Sequence, residues 1–136
     1  MTQREKELLL RDLCARLPHH IYVLVDYVDE CNVDEILNVN HIIGLRYYTG
    51  DDGLINIKPY LRPMSSMTEE EKKELRNIGP YLIDKDDNII GVQCNSFIQT
   101  SECQDWLNEH YFDYRNLIQM GLALEAPKNM YKIWQQ

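Results

Sequence analysis

Apolar positions in this chain switch between the spacing of a helix and the spacing of a strand. Leu10, Leu13, Cys14 and Leu17 fall at i, i+3, i+4 and i+7. That spacing predicts a helix over residues 2–17 with this stripe buried and Arg4, Lys6, Arg11 and Asp12 mostly in water. Thr2 with Glu5 forms a capping box at its start, and Pro18 ends it. Residues 21–28, IYVLVDYV, are β-branched and aromatic and predict a strand. Residues 33–39 predict a weaker strand, diluted by Asp34, Glu35 and Asn38. Residues 42–48 predict a third, where Gly44 marks a bulge or a close approach. Asp51-Asp52-Gly53 is a hairpin turn signal from which 54–57 returns. Four strands over about forty residues predict a small antiparallel, strongly curved sheet or partial barrel.

The next stretch, 58–67 (KPYLRPMSSM), holds two prolines and predicts an irregular strap with Tyr60, Leu61 and Met64 anchored inward. Thr68 with Glu71 caps a surface helix, TEEEKKELRNI, closed by Gly79-Pro80, whose thin apolar face is Leu75 and Ile78 with Met67 just outside. Residues 81–83 and 89–92 flank Asp86-Asp87-Asn88 as a hairpin. Cys103, Trp106, Leu107 and His110 then form one helical stripe with Asp105, Asn108 and Glu109 facing water. Ser101 and Gln104 predict a start near Glu102. A second stripe, Tyr114, Leu117, Ile118 and Gly121, predicts a helix capped by Asp113 and closed by Gly121. Leu122-Ala123-Leu124 follows as a short extended tail, and 131–136 is expected to fray. The fold class is therefore α+β: an N-terminal helix, the curved sheet, a short hairpin and a C-terminal two-helix corner. One domain over 1–136 is the simplest organisation, with subdomains 1–57 and 68–136 joined by the strap 58–67 as the alternative.

Composition narrows the function classes. A hydrophobic share of 44% with 26% charged residues is that of an ordinary globular chain. No apolar run reaches the roughly 18 residues that span a bilayer, and the charged start MTQREKELLL is not a signal peptide, so a cytoplasmic location with Cys14, Cys31, Cys94 and Cys103 as thiols is expected. A net charge of −8 argues against nucleic acids and anionic membranes as partners. The two-helix corner suggests a helix-turn-helix, but its second helix carries Arg115 as its only cation, too little for phosphate contacts.

Two segments, KPYLRPMSSMTEEE (58–71) and WLNEHYFDYRNLIQMGLALEAP (106–127), resemble an uncharacterised family of small proteins from gut bacteria and their phages and mobile elements. The resemblance covers roughly a quarter of the chain. It implies an intracellular accessory protein of prophage origin and assigns no functional residue.

Candidate chemistry is sparse. Cys94, Cys103, His110, His19-His20 and His41 lack the close ligand pairs of a structural zinc site, so neither metal nor cofactor is expected. Cys103, placed in the first turn of its predicted helix, has the electrostatic setting of a reactive thiol, and a cysteine enzyme using a distant histidine is one alternative. An acidic mimic of DNA that blocks a nuclease is another. Asp51-Asp52 and Asp84-x-Asp86-Asp87 read as turns, lacking the glycine and closing glutamate of a calcium loop. Nine tyrosines, with Tyr47, Tyr48, Tyr60, Tyr111 and Tyr114 near turns, read equally as an interface or as the edges of a core that touch water. The leading expectation is a non-enzymatic module that binds another protein through Tyr60, Leu61, Arg62, Tyr111, Tyr114 and Arg115, a homo-oligomer also being compatible.

Overall fold

The computed structural model of the chain describes residues 1–27, 32–46, 54–79, 81–83, 89–92 and 97–131. The turn signals at Asp51-Asp52-Gly53 and at 84–88, Cys31, Cys94, Tyr47, Tyr48 and the stretch 132–136 lie outside the described residues.

Helix α1, Gln3–Arg16, starts at the predicted capping box: the Thr2 hydroxyl accepts from Glu5 N–H and the Glu5 carboxylate accepts from Thr2 N–H. Its buried face is Leu9, Asp12, Leu13 and Arg16, one position round from the expected stripe, and Cys14 is exposed. The run Leu8-Leu9-Leu10 fits either face. Asp12, expected in water, lies on the buried face because Arg16 neutralises it at i, i+4.

Strands β1 (Tyr22–Tyr27) and β2 (Val33–Ile36) pair antiparallel. The third predicted strand is instead a helix, α2, Val39–Arg46. The reason is local. Asn38 Oδ1 accepts from His41 N–H at 3.1 Å, and His41 Nδ1 accepts from Asn38 N–H at 3.1 Å. This reciprocal pair does what Ser-x-x-Glu does in a capping box, with imidazole in place of carboxylate. His41, Gly44 and Leu45 then turn inward.

Strand β3 runs Leu54–Leu61, through the first four residues of the strap that its prolines predict to be irregular. Pro59 is tolerated because its antiparallel partner is Val23, while pairing on the other side begins only at Tyr60. After a 3-10 turn at Met64–Ser66 comes α3, Glu69–Ile78, with its capping box at Thr68 and Glu71 and its end at Gly79 as predicted. Strands β4 (Tyr81–Ile83) and β5 (Ile89–Val92) form the expected antiparallel hairpin. Helix α4, Phe97–Glu109, starts before the predicted Glu102. The second helix of the corner is absent. A short strand, β6 (Leu124–Glu125), joins β3 in parallel.

The class is α+β: the described residues form four α-helices and an open four-stranded sheet of order β2-β1-β3-β6 that is mixed rather than wholly antiparallel. Register sets Val23, Val25, Ile57 and Pro59 on one face. That face is fully buried with Leu9, Leu13, Leu37 and Leu45 of α1 and α2, and with Tyr111, Leu117, Leu122 and Tyr131 from the far end of the chain. Each such aliphatic contributes about 1.5–3 kcal/mol by burial. A second cluster, Met67, Leu75, Trp106, Leu107 and Phe112, joins α3 to α4. No helix among the described residues is long and apolar enough to cross a membrane.

Candidate functional site

The absent helix explains the site. Both of its end signals are present. Asp113 accepts from Leu117 N–H and Ile118 N–H, each at 2.9 Å, and Gly121 stands at φ +78°. Leu122 N–H reaches Leu117 C=O and Gly121 N–H reaches Ile118 C=O, the bond pair of a Schellman closure. Asn116 at φ +64° breaks the backbone on the N-terminal side, so only a single turn fits between cap and closure. Residues 111–123 therefore fold as a compact loop, with Leu117, Leu122 and Ala123 buried.

This loop meets the end of β3. Arg62 N–H donates to Tyr111 C=O at 2.7 Å, Asp113 N–H donates to Arg62 C=O at 2.8 Å, and Arg62 bridges Phe112 in parallel. The two segments nominated from sequence thus come together, but their side chains mostly turn inward. Leu61 and Tyr111 are buried, and Tyr60, Arg62, Tyr114 and Arg115 are half-buried.

Each has a structural task. Arg62 is a strut: Nη1 and Nη2 each donate to one oxygen of Glu71 at 2.7 Å, Nη2 also reaches Ser66 C=O, and the guanidinium lies 4.2 Å from the Phe112 ring centroid. Phe112 stacks on Trp106, which stacks on His110 at 4.0 Å. Burial pushes the Glu71 carboxyl up, but bonds from Arg62 and Thr68 outweigh it and hold Glu71 below its ordinary value.

Tyr114 donates to Asn108 Oδ1 and accepts from Arg115, which donates to Asp12. Asn108, expected in water, is buried by this chain of bonds. Asp12 and Arg16 are fully buried, 2.8 Å apart, and Arg16 Nη2 donates to Phe112 C=O.

Tyr60 donates to Asp34 at 2.8 Å, and its hydroxyl is pushed up to about 12 by burial and by that carboxylate. Tyr131, placed by the sequence in a fraying end, is instead buried and sets its hydroxyl between two strands. It accepts from Tyr22 N–H at 3.1 Å and donates to Tyr60 C=O at 2.7 Å, replacing a rung of the β1–β3 ladder. Burial raises its pKa, which keeps the donor proton in place.

Around these struts lies an open groove of about 990 Å³. The strap supplies Arg62, Pro63 and Ser66; α3 supplies Glu70, Glu71 and Glu74; the end of α4 supplies Glu109, His110 and Tyr111; and 125–131 supply Glu125, Pro127, Lys128 and Tyr131. Tyr111 and Tyr131 stack at 3.8 Å and 10° in its wall. Five glutamates face two full cations. Of the five, Glu71 is consumed by Arg62. His110 Nδ1 lies 2.8 Å from Trp106 C=O, so that nitrogen carries the proton and Nε2 is left 3.7 Å from Glu74. Sequence reading missed the groove's acids by treating them as a solvated helix face. The signal was there: Glu70 and Glu74 are like charges at i, i+4, which a helix stabilised for itself avoids.

Cys103 is 2% exposed and nearly two turns inside α4, not in the first turn, so the helix start does not act on its thiol. Among the described residues no group of three or more His, Cys, Asp or Glu is arranged to hold a metal ion. A smaller hollow of about 460 Å³ between α1 and α2 exposes Cys14 beside Lys6, Arg11 and Arg46.

Comparison with protein-family models, with curated proteins and with solved structures finds no match to this chain.

Proposed function

We propose that this protein is a non-enzymatic binding module whose groove between the strap, α3 and residues 125–131 receives a segment of another protein. The observation that carries the reading is Tyr111. A bulky aromatic at φ +67° is held in a backbone region that costs it on the order of 1 kcal/mol or more, and it stands stacked on Tyr131 in the groove wall. Strain of this kind persists where the surroundings over-determine it, and binding sites are a common place for it. The lining fits a chain segment. Pro63 and Pro127 offer apolar contact, and Glu70, Glu74, Glu109 and Glu125 favour a partner with lysine or arginine. A mimic of DNA charge needs carboxylates in regular rows, whereas this groove interleaves them with Arg62, Lys128 and rings. The accessory role in a prophage or mobile element rests on the resemblance of residues 58–71 and 106–127.

A photo-crosslinking residue in place of Glu109 in the native host, with one in place of Lys73 as control, identifies the partner. The purified partner is then titrated against the wild type and against Glu70→Lys with Glu125→Lys. Weakening by about tenfold or more is expected for the double variant, at roughly 1.4 kcal/mol per decade. Unchanged affinity defeats the reading.

A further inference from the structure

We propose that the hollow between α1 and α2 binds a small organic anion, in which a carboxylate or phosphate-ester head is joined to an apolar body. This surface is separate from the groove.

Rows of residues spaced four apart make the hollow. On α1, Lys6, Leu10 and Cys14 form one row and Glu7 and Arg11 the next; on α2, Ile42 and Arg46 form a third. The register of α1 explains why this side stays unfilled. Leu9, Asp12, Leu13 and Arg16 take the core, so Leu10 is left half-buried and Cys14 exposed. Ile42, also half-buried, packs with Leu10 against the main core. The two form an apolar floor to a space of about 460 Å³, within the roughly 300–1,000 Å³ of small-molecule sites.

Charge selects the ligand. Lys6, Arg11 and Arg46 stand against Glu7 alone, so three positive charges less one negative leave two in excess, on a chain whose net charge is −8. Glu7 accepts from the Gln3 amide at 3.4 Å, and neither Lys6 nor Arg11 forms an ion pair among the described residues. The groove is the reverse case, with five glutamates to two cations. A concave surface lined by one sign of charge concentrates the opposite sign. A bare inorganic anion would leave Leu10 and Ile42 uncovered, and an uncharged apolar molecule would leave the cations unanswered. A ligand with both parts meets both.

The test reads Cys14, whose thiol lines the hollow. Alkylation of the full chain by iodoacetamide, a neutral reagent, is followed residue by residue with peptide mass spectrometry. Cys103, 2% exposed, stays slow as evidence of folding. 1-Naphthyl phosphate and 1-naphthoate are the probes, and the one that protects more identifies the head. At least one is expected to slow Cys14 by about fivefold or more, the factor 1 + [L]/Kd at several times Kd. 1-Naphthalenemethanol and inorganic phosphate, each carrying one part alone, are expected to leave the rate nearly unchanged. Lys6→Gln with Arg11→Gln removes the protection, taken as the ratio of rates with and without probe in the same variant. In the unaltered chain, sodium chloride at about 1 M weakens it by screening. Four results overturn the proposal: no slowing with either anion, equal slowing with the alcohol, equal slowing with inorganic phosphate, or protection that survives both the double variant and high salt.

Discussion

Two arginine–carboxylate pairs tie elements of this molecule together, and they differ in what water can reach. Arg16 and Asp12 are both 0% exposed, whereas Arg62 and Glu71 keep 17% and 14% of their side chains in solvent. The buried pair ties α1 to the loop at Phe112 and Arg115; the other ties the strap to α3 at the groove rim. A sealed pair cannot be half removed, because the survivor is left as an uncompensated charge; a rim pair can rehydrate. The lesson is that the interior network fixes the loop's position, and the rim pair shapes the groove at lower stake.

The largest effect follows from Asp12→Ala. It strands Arg16, and a loss of about 3–5 kcal/mol is expected in denaturant unfolding. Replacing both partners, Asp12→Leu with Arg16→Met, recovers most of that loss. If the double variant is as unstable as the single, the pair is not the unit we describe. A smaller effect belongs to Arg62→Lys. It keeps charge but loses the two-pronged bond and the ring contact, and costs about 1–2 kcal/mol by the same measurement. A loss matching that of Asp12→Ala would erase the contrast.

The smallest effect is in pH. Glu71 titrates below its ordinary value in the folded protein, so its contribution is fully present above the unfolded pKa of 4.5 and is lost as pH falls through the lower folded value. Its size is about 1 kcal/mol after solvent screening. Arg62→Met should flatten that acid limb of the stability profile, and an unchanged limb would place the titration elsewhere.

Much of the fold was legible because local chemistry and tertiary structure agreed. The capping boxes at Thr2 and Thr68, the β-branched run of β1 and the closing Gly79 stand where their residues put them. Misreadings came from chemistry with two uses. Asn38-x-x-His41 caps a helix as Ser-x-x-Glu does, but histidine at that position is not read as a cap, and β-branched Val39, Ile42 and Ile43 look like a strand. Asp113 and Gly121 mark true helix ends without saying that Asn116 leaves room for one turn only. At the site, strap and corner were nominated together with Tyr60 and Leu61 anchored inward, but the burial of Tyr111 was not anticipated. Arg62, Tyr114 and Arg115 read as surface groups until their partners close on them: Glu71 and Asn108 from the neighbouring helices α3 and α4, and Asp12 from the distant α1.

The hydroxyl of Tyr131 seated between β1 and β3 carries a consequence for how the chain assembles. The rung it completes joins positions 109 residues apart, so the first strand cannot lock its full ladder until the segment beyond the loop has docked at Tyr131. Closing so long a span comes before any reward from it, which favours slow, late consolidation of the sheet over early formation from its own hairpin.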